Sequence, residues 1–458
     1  MLILGLAPAG RFATAAGALI VLLSAGPPAA AGEVPPASGS RPPGVETAPP
    51  VEELVARALA NAPSIAARRA RVAAAQAAAK AADVLPDPML EFEVRDAGFP
   101  KWTLGEDPMS MIGATIRQPL VSKGRKSSRV AAAAAEIDVR QSEANAVAAE
   151  LTAAVQTEYS RLYAVDRERA ILRDSDEVAR LLAETAMARY ASGASDQAVV
   201  LRAQLERTRL AERAADLEAD RQMLVVAINR LLNQPPDTPL GEVRELPASR
   251  AAAAAPAGLS ETAATQAPSV SARKADVAAA ARRVDMLKEE LRPNWTVGGS
   301  FFWQGGTDRV VSVTVGVDWP WRKERNQQAQ IAASERELEA ARFQLADTAA
   351  AMQAEAARLA VDIRRAEGQI VRYQSGLLPQ SSAALDAARA SYLGGRGDFA
   401  SVLDEFRRWI EVRVELARRE ASRFAAVAQL EVLVNSPGHG DWARSVSSDS
   451  KPSKEPRS

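Results

Sequence analysis

Residues 294–321 read NWTVGGSFFWQGGTDRVVSVTVGVDWPW, and their alternation decides the architecture. Apolar and polar residues alternate with a period of two, as in a strand with two unlike faces. In the first segment Trp295, Val297, Gly299, Phe301 and Trp303 face one way, against Thr296, Gly298, Ser300 and Gln304. In the second, Val311, Val313, Val315, Val317 and Trp319 oppose Ser312, Thr314, Gly316 and Asp318. Each segment runs about 9–11 residues, the length of a tilted membrane-spanning strand. A soluble sheet packed on helices would alternate too, so the rest of the chain has to choose.

Upstream lies a second, weaker pair of strands. Leu90, Phe92 and Val94 oppose Glu91, Glu93 and Arg95; Ile112, Ala114 and Ile116 oppose Thr115 and Arg117. The remainder is helical. Between Gly124 and Gly193 lie 68 residues with neither glycine nor proline, and between Gly193 and Pro235 another 41. Both stretches are rich in Ala, Leu, Glu, Arg and Gln, strong helix formers that nothing interrupts. At about 1.5 Å per residue the first would be on the order of 100 Å long, more than a compact domain needs. Leu210, Leu217, Leu224 and Leu231 recur every seven residues, a coiled-coil-like seam.

The chain repeats itself. Tyr190, Gly193, Asp196, Leu201 and Asn233 match Tyr392, Gly395, Asp398, Leu403 and Asn435 at an offset of 202. Ala62-Pro63-Ser64-Ile65 matches Ala267-Pro268-Ser269-Val270 at an offset of 205, and Pro119 matches Pro320 at 201. A drifting but persistent offset is the trace of tandem duplication. The fold class is therefore mainly α with a small β part. Each half carries a helix of about 30 residues, two strands, a very long helix and a helix of about 40. The expected organisation is a signal peptide (1–31), a disordered Pro-rich linker (32–50), a first repeat (51–240), a linker (241–259), a second repeat (260–436) and a disordered tail (437–458).

Composition narrows the function. The 458 residues include 57 Lys+Arg, 57 Asp+Glu, no cysteine and one histidine, His439, in the Ser/Gly/Pro-rich tail. Thiolate chemistry is excluded, and a serine triad or histidine metal cluster has no residues to build on. Balanced charge gives no reason to expect a nucleic-acid partner. Three local patterns are decoys. Gly124-Arg125-Lys126-Ser127 lacks the upstream glycine of a phosphate loop, and Gly394-Gly395-Arg396-Gly397 lies between helices instead of after a strand. Arg396-Gly397-Asp398 is an adhesion tripeptide only by its three letters. No enzyme is expected, and no cofactor or metal. The alternative is an oligomeric tube. Strands that are apolar outside, polar inside and aromatic at their ends suit an outer-membrane barrel, with Trp295, Trp319 and Trp321 at the membrane interface. Four strands cannot close a barrel, and open edges are not tolerated in lipid, so several chains must contribute.

The ordered set of motifs resembles the TolC-like outer-membrane efflux proteins over roughly residues 51–435. Its carriers are the duplicated halves, Asn61-Ala62-Pro63, Gln118-Pro119-Leu120 followed by Lys123-Gly124-Arg125-Lys126, Trp319-Pro320-Trp321-Arg322, Leu378-Pro379, and the Tyr-x-x-Gly segments at Tyr190 and Tyr392. Leu85-Pro86-Asp87-Pro88 is similar to the branch that serves heavy-metal efflux pumps. The resemblance implies a homotrimer with a twelve-stranded barrel in the outer membrane of a Gram-negative bacterium and a periplasmic helical tunnel. Its partners would be a periplasmic adaptor protein and an inner-membrane pump, often proton-driven. Many members of the metal branch carry a lipidated cysteine; this chain has none, so it is expected to be unlipidated. A protein-secretion duct and a non-conducting periplasmic scaffold or adhesin are the rival readings.

The same resemblance places the segments after Tyr-x-x-Gly at the periplasmic tip. Tyr190, Gly193, Tyr392, Gly395 and Arg396 become candidate adaptor contacts; Asp404, Asp398, Asp196 and Arg202 become candidates for the entrance. Gly193 and Gly395 suit helix-ending turns, and Asp196 and Asp398 are placed to cap the helices that follow. Asp404 reads either as one member of a three-fold anionic ring or as a solvated surface charge. Arg202 is its counterpart in the first half and could pair with an acid on a neighbouring helix.

Overall fold

A computed structural model describes residues 47–247, 256–306, 309–318 and 326–434. The expected leader (1–31), most of the 32–50 linker, the 437–458 tail with His439, and both Trp319 and Trp321 lie outside the described residues. The first repeat contains α1 (Val51–Asn61), α2 (Pro63–Ala82), β1 (Met89–Arg95), β2 (Met111–Leu120), α3 (Lys123–Ala191) and α4 (Gln197–Leu232). The second contains α5 (Pro256–Gln266), α6 (Pro268–Glu289), β3 (Asn294–Trp303), β4 (Arg309–Asp318), α7 (Gln327–Arg372), α8 (Leu378–Leu393) and α9 (Phe399–Val434). The order is the same in both halves.

Two details differ from the sequence expectation, and proline explains both. The opening helix of each repeat is broken in two. Pro63 and Pro268 each begin a new helix, and the alanines before them are extended (φ −65°, ψ 125° at Ala62; φ −53°, ψ 142° at Ala267). A proline disfavours the helical conformation in the residue before it. The very long helix is continuous only in the first repeat, where α3 runs 69 residues. In the second, a π turn over Tyr373–Leu377 separates α7 from α8, with Pro379 just beyond it. Proline has no N–H to donate back along the helix, so the turn there widens.

The four strands form one antiparallel sheet in the order β1-β2-β3-β4. The central pairing, β2 with β3, joins the two repeats; β1 and β4 are edges with no further strand beside them among the described residues. β1 is seven residues long, shorter than expected.

Helices α2, α4, α6 and α9 pack on α3, and α5, α6 and α9 pack on α7. One core joins Leu54 and Ala58 of α1 to Val155, Tyr159 and Leu162 of α3 and Ile228 and Leu232 of α4. A second fills the far end of the bundle with Leu182, Ala186, Val200, Leu210, Val402 and Phe406. The leucine seam holds for Leu210 and Leu217, which are buried; further along, burial passes to Val225, Ile228 and Leu232. A helix of 3.6 residues per turn drifts about 20° per heptad, which carries the seam off its register.

The segments expected to be loose linkers are tied down where they are described. Ala48 N–H donates to Glu242 O at 3.0 Å, and Val243, itself buried, donates to Asp166 Oδ2 at 2.9 Å. Asp166 also accepts from Arg221 Nε at 2.7 Å, while Arg221 Nη2 holds the carbonyls of Leu240 and Gly241 at 2.7 and 2.9 Å. An arginine and an aspartate in the helices thus staple residues 240–243 down, a link that no local pattern in the sequence announces.

Candidate functional site

Two regions hold the candidate functional residues: the sheet and the helix tips. The register sets Leu90 opposite Ile116, Ala114 opposite Phe301, Val297 opposite Val315, and Phe301 opposite Val311, so the alternating apolar residues of all four strands share one face, with Phe302 and Val310 on the other. That face is open: Phe92, Ile116, Trp295, Phe301, Trp303 and the four valines at 311, 313, 315 and 317 are exposed. Its exposed side chains amount to something on the order of 1,000 Å², against roughly 300–600 Å² for the largest apolar patch of a typical soluble monomer. Trp295 lies at one end of β3 and Trp303 at the other, where the Trp303 Nε1–H donates to Gly306 O at 2.8 Å.

The opposite face is polar. Glu91 pairs with Arg117, Glu93 with Arg95, and Thr115 donates to Ser300 at 2.9 Å. Phe302 joins this polar side, a placement the sequence reading left out, and it is only 1 % exposed. Its ring lies over Gly113, where any side chain would collide with it, and Arg95 stacks above the ring at 4.3 Å. The adjacent aromatics Phe301 and Phe302 therefore divide between the two faces.

The tips reproduce the duplication in hydrogen-bond detail. In the first turn the N–H groups of Ser192, Gly193 and Ala194 donate to the carbonyls of Ala188, Tyr190 and Arg189; in the second, those of Gly394, Gly395 and Arg396 donate to Ala390, Tyr392 and Ser391. Gly193 and Gly395 both have φ of +72°, the left-handed conformation that glycine adopts without strain. Asp196 and Asp398 both occupy the position before the next helix, but only Asp398 caps it, its Oδ1 accepting from Ser401 N–H at 3.0 Å. The Asp196 side chain makes no capping bond. The Ser401 hydroxyl and N–H, helped by the charge of Arg202, hold the Asp398 carboxyl below the usual aspartate range. Arg202 is thus brought toward Asp398, from the other repeat.

The two tyrosines have diverged. Tyr190 is 45 % exposed; Tyr392 is 6 % exposed, with its ring 5.3 Å from Phe399 and beneath the Arg189 guanidinium at 4.7 Å. Arg189 also donates to the carbonyls of Tyr392 and Leu393 at the end of α8, and so ties the tips together. Tyr392 therefore packs inside the chain, which corrects the expectation of a surface contact: Phe399, at the start of α9, gives it an apolar partner. Asp404 faces solvent, its side chain 68 % exposed and 3.5 Å from Arg407. Arg407 is engaged chiefly by Glu206, a buried carboxylate on α4, at 2.6 and 3.0 Å. Glu206 was missed in the sequence, yet it sits in the stripe Val200, Ala203, Glu206, Leu210; an acid among core positions is a readable signal. Among the described residues no group of three or more His, Cys, Asp or Glu side chains is arranged to hold a metal ion, and no helix is long and apolar enough to cross a membrane.

Comparison with known proteins gives a consistent result. The model of the family described as "Outer membrane efflux protein" matches residues 54–234. Three solved channels share the fold. VceC from Vibrio cholerae superposes with a TM-score of 0.71 at 18 % identity, covering 84 % of this chain and 96 % of that one. CusC gives 0.72 at 16 %, covering 87 % and 95 %, and CmeC from Campylobacter jejuni 0.72 at 12 %, covering 87 % and 88 %. No curated protein matches the chain in sequence. Residues 54–234 thus carry the pattern of the outer membrane efflux protein family, and most of the chain shares the fold of these channels.

Proposed function

We propose that this chain is the outer-membrane exit duct of a tripartite efflux system, conducting its cargo passively from a periplasmic adaptor and an inner-membrane pump to the outside. One observation carries the reading: a four-stranded sheet with an open apolar face and two edge strands that no other described strand pairs. In water such a sheet exposes on the order of 1,000 Å² of apolar surface, and placing that area in lipid is worth about 25 kcal/mol per chain. In lipid the edges of β1 and β4 need partners, and further copies of the chain supply them. Three copies would give a closed barrel of twelve strands, with the Glu91–Arg117 face lining the lumen and the helices extending into the periplasm. Tyr190, Gly193, Gly395 and Arg396 at the exposed tip turns would meet the adaptor, and three Asp404 side chains would ring the entrance. The motif Leu85-Pro86-Asp87-Pro88 favours heavy-metal cations among possible cargoes.

Purified full-length chain added to planar bilayers tests this directly. The duct reading expects a detergent-requiring oligomer with discrete single-channel conductance. A water-soluble monomer without conductance sinks it.

A further inference from the structure

The polar face of the sheet holds its charges in closed pairs. Arg117 Nη1 meets Glu91 Oε2 at 2.7 Å, and the register makes this a diagonal contact between β2 and β1. Further along β1, Arg95 donates from Nε and Nη2 to the two carboxylate oxygens of Glu93 at 2.8 and 3.0 Å. The flat side of the same guanidinium lies on Phe302, 4.3 Å from the ring centre. Arg95 therefore has one edge committed to a carboxylate and one face to an aromatic ring, and keeps little to offer a passing anion. The wall beyond is neutral: Thr115 bonds Ser300, and Ser312 and Thr314 follow on β4. Asp318, at the far end of β4, makes no ion pair with a described residue.

Opposite charges about 3 Å apart look like a dipole to an ion some 10 Å away, and their fields nearly cancel there. We infer that the stretch of barrel wall from β1 to Thr314 does not sort cargo by charge: Glu91 with Arg117, and Glu93 with Arg95, neutralise it locally, so anionic, cationic and neutral solutes pass it alike. Any charge preference is then set outside that stretch, by Asp318 at the far end of β4 and by Asp404, exposed at the helical end. The inference rests on the polar face being the lumen, as proposed above, and it names the residues that keep that stretch indifferent.

Reversal potentials of the full-length chain in planar bilayers under a salt gradient test it. Arg117→Gln leaves Glu91 unpaired. Roughly three such charges, seen across ~10 Å of water and about one Debye length at 0.1 M salt, should raise the cation-to-anion permeability ratio about two- to fivefold. Glu91→Gln should move the ratio by a similar factor the other way. The double variant Glu91→Gln/Arg117→Gln should return it to the parent value. The same three variants at Glu93 and Arg95 repeat the comparison if one pair is needed for folding. Single variants that conduct without any shift, or a double variant that departs as far as a single one, overturn the inference and leave the duct intact. A chain that does not conduct at all removes the duct reading, and this inference with it.

Discussion

Glu206 and Arg407 offer a test of how the tip is held together, because the two ends of this ion pair sit in different surroundings. The Glu206 side chain is 7 % exposed and that of Arg407 44 %. Arg407 Nε and Nη2 both donate to Glu206 Oε2, at 3.0 and 2.6 Å, and Arg209 stands 3.7 Å away. Removing one partner of a buried pair costs about 3–5 kcal/mol when the other is stranded without water. Arg407→Ala strands Glu206 in the stripe of Val200, Ala203 and Leu210, with the outlying Arg209 the one other cation paired with it among the described residues. It should cost about 3 kcal/mol. Glu206→Gln leaves an arginine that can turn to solvent and keeps a side chain of the same shape, so the cost falls to about 1 kcal/mol. Glu206→Leu replaces the charge with apolar bulk at a core position, and should be close to neutral. Hydrogen exchange of the α8 and α9 amides near the tip, with thermal melts of the same variants, reads all three. Equal losses for Arg407→Ala and Glu206→Gln, or a larger loss for the latter, would refute the reasoning that the buried carboxylate dominates.

Further outcomes follow from other contacts. Burial, and then the 2.8 Å hydrogen bond that it donates to Glu420, push the Tyr163 phenol above its usual value. Its contribution is therefore complete below the unfolded tyrosine value of about 10 and is lost as pH rises beyond it; melts between about pH 9 and 11 should show Tyr163→Phe less sensitive to alkali than the parent. Asp398 is held below the usual range, so its contribution is present at neutral pH and lost as pH falls through the acid range. Asp398→Ala should loosen the start of α9 in hydrogen exchange more than Asp196→Ala loosens α4, since only the former removes a cap. Asp404→Ala should raise basal conductance and weaken block by multivalent cations; unchanged block in a folded oligomer would reduce Asp404 to a surface charge.

Much of the fold was legible because it depends on short periods. Alternation in 311–317 and in 295–303 predicted two strand faces, and the long stretches free of glycine and proline predicted α3 and α4. The tip turns were legible because the left-handed position needs glycine and the repeat showed it twice, at Gly193 and Gly395. What escaped depends on residues far apart in the chain. The face of Phe302 cannot be read beside Phe301 because a doublet of aromatics breaks the alternation; Gly113, on another strand, is what makes room for its ring. The π turn was hidden because Pro379 signals an irregularity without saying whether the helix kinks or ends. The burial of Tyr392 and the exposure of Tyr190 could not be told apart from two matching motifs, since Arg189 and Phe399 decide it. Glu206 is the one omission with a local signature.

The central claim is that one face of the sheet meets lipid while the other meets water. The chain contains no cysteine, so single cysteines can be placed without further engineering. The most direct measurement is labelling of Val311→Cys, Ser312→Cys, Val313→Cys, Thr314→Cys and Val315→Cys in outer-membrane vesicles with a charged, membrane-impermeant thiol reagent small enough to enter the lumen. Labelling that alternates, with positions 312 and 314 reactive and 311, 313 and 315 protected until the membrane is dissolved, is the result the account requires. Equal reactivity at all five positions would contradict it.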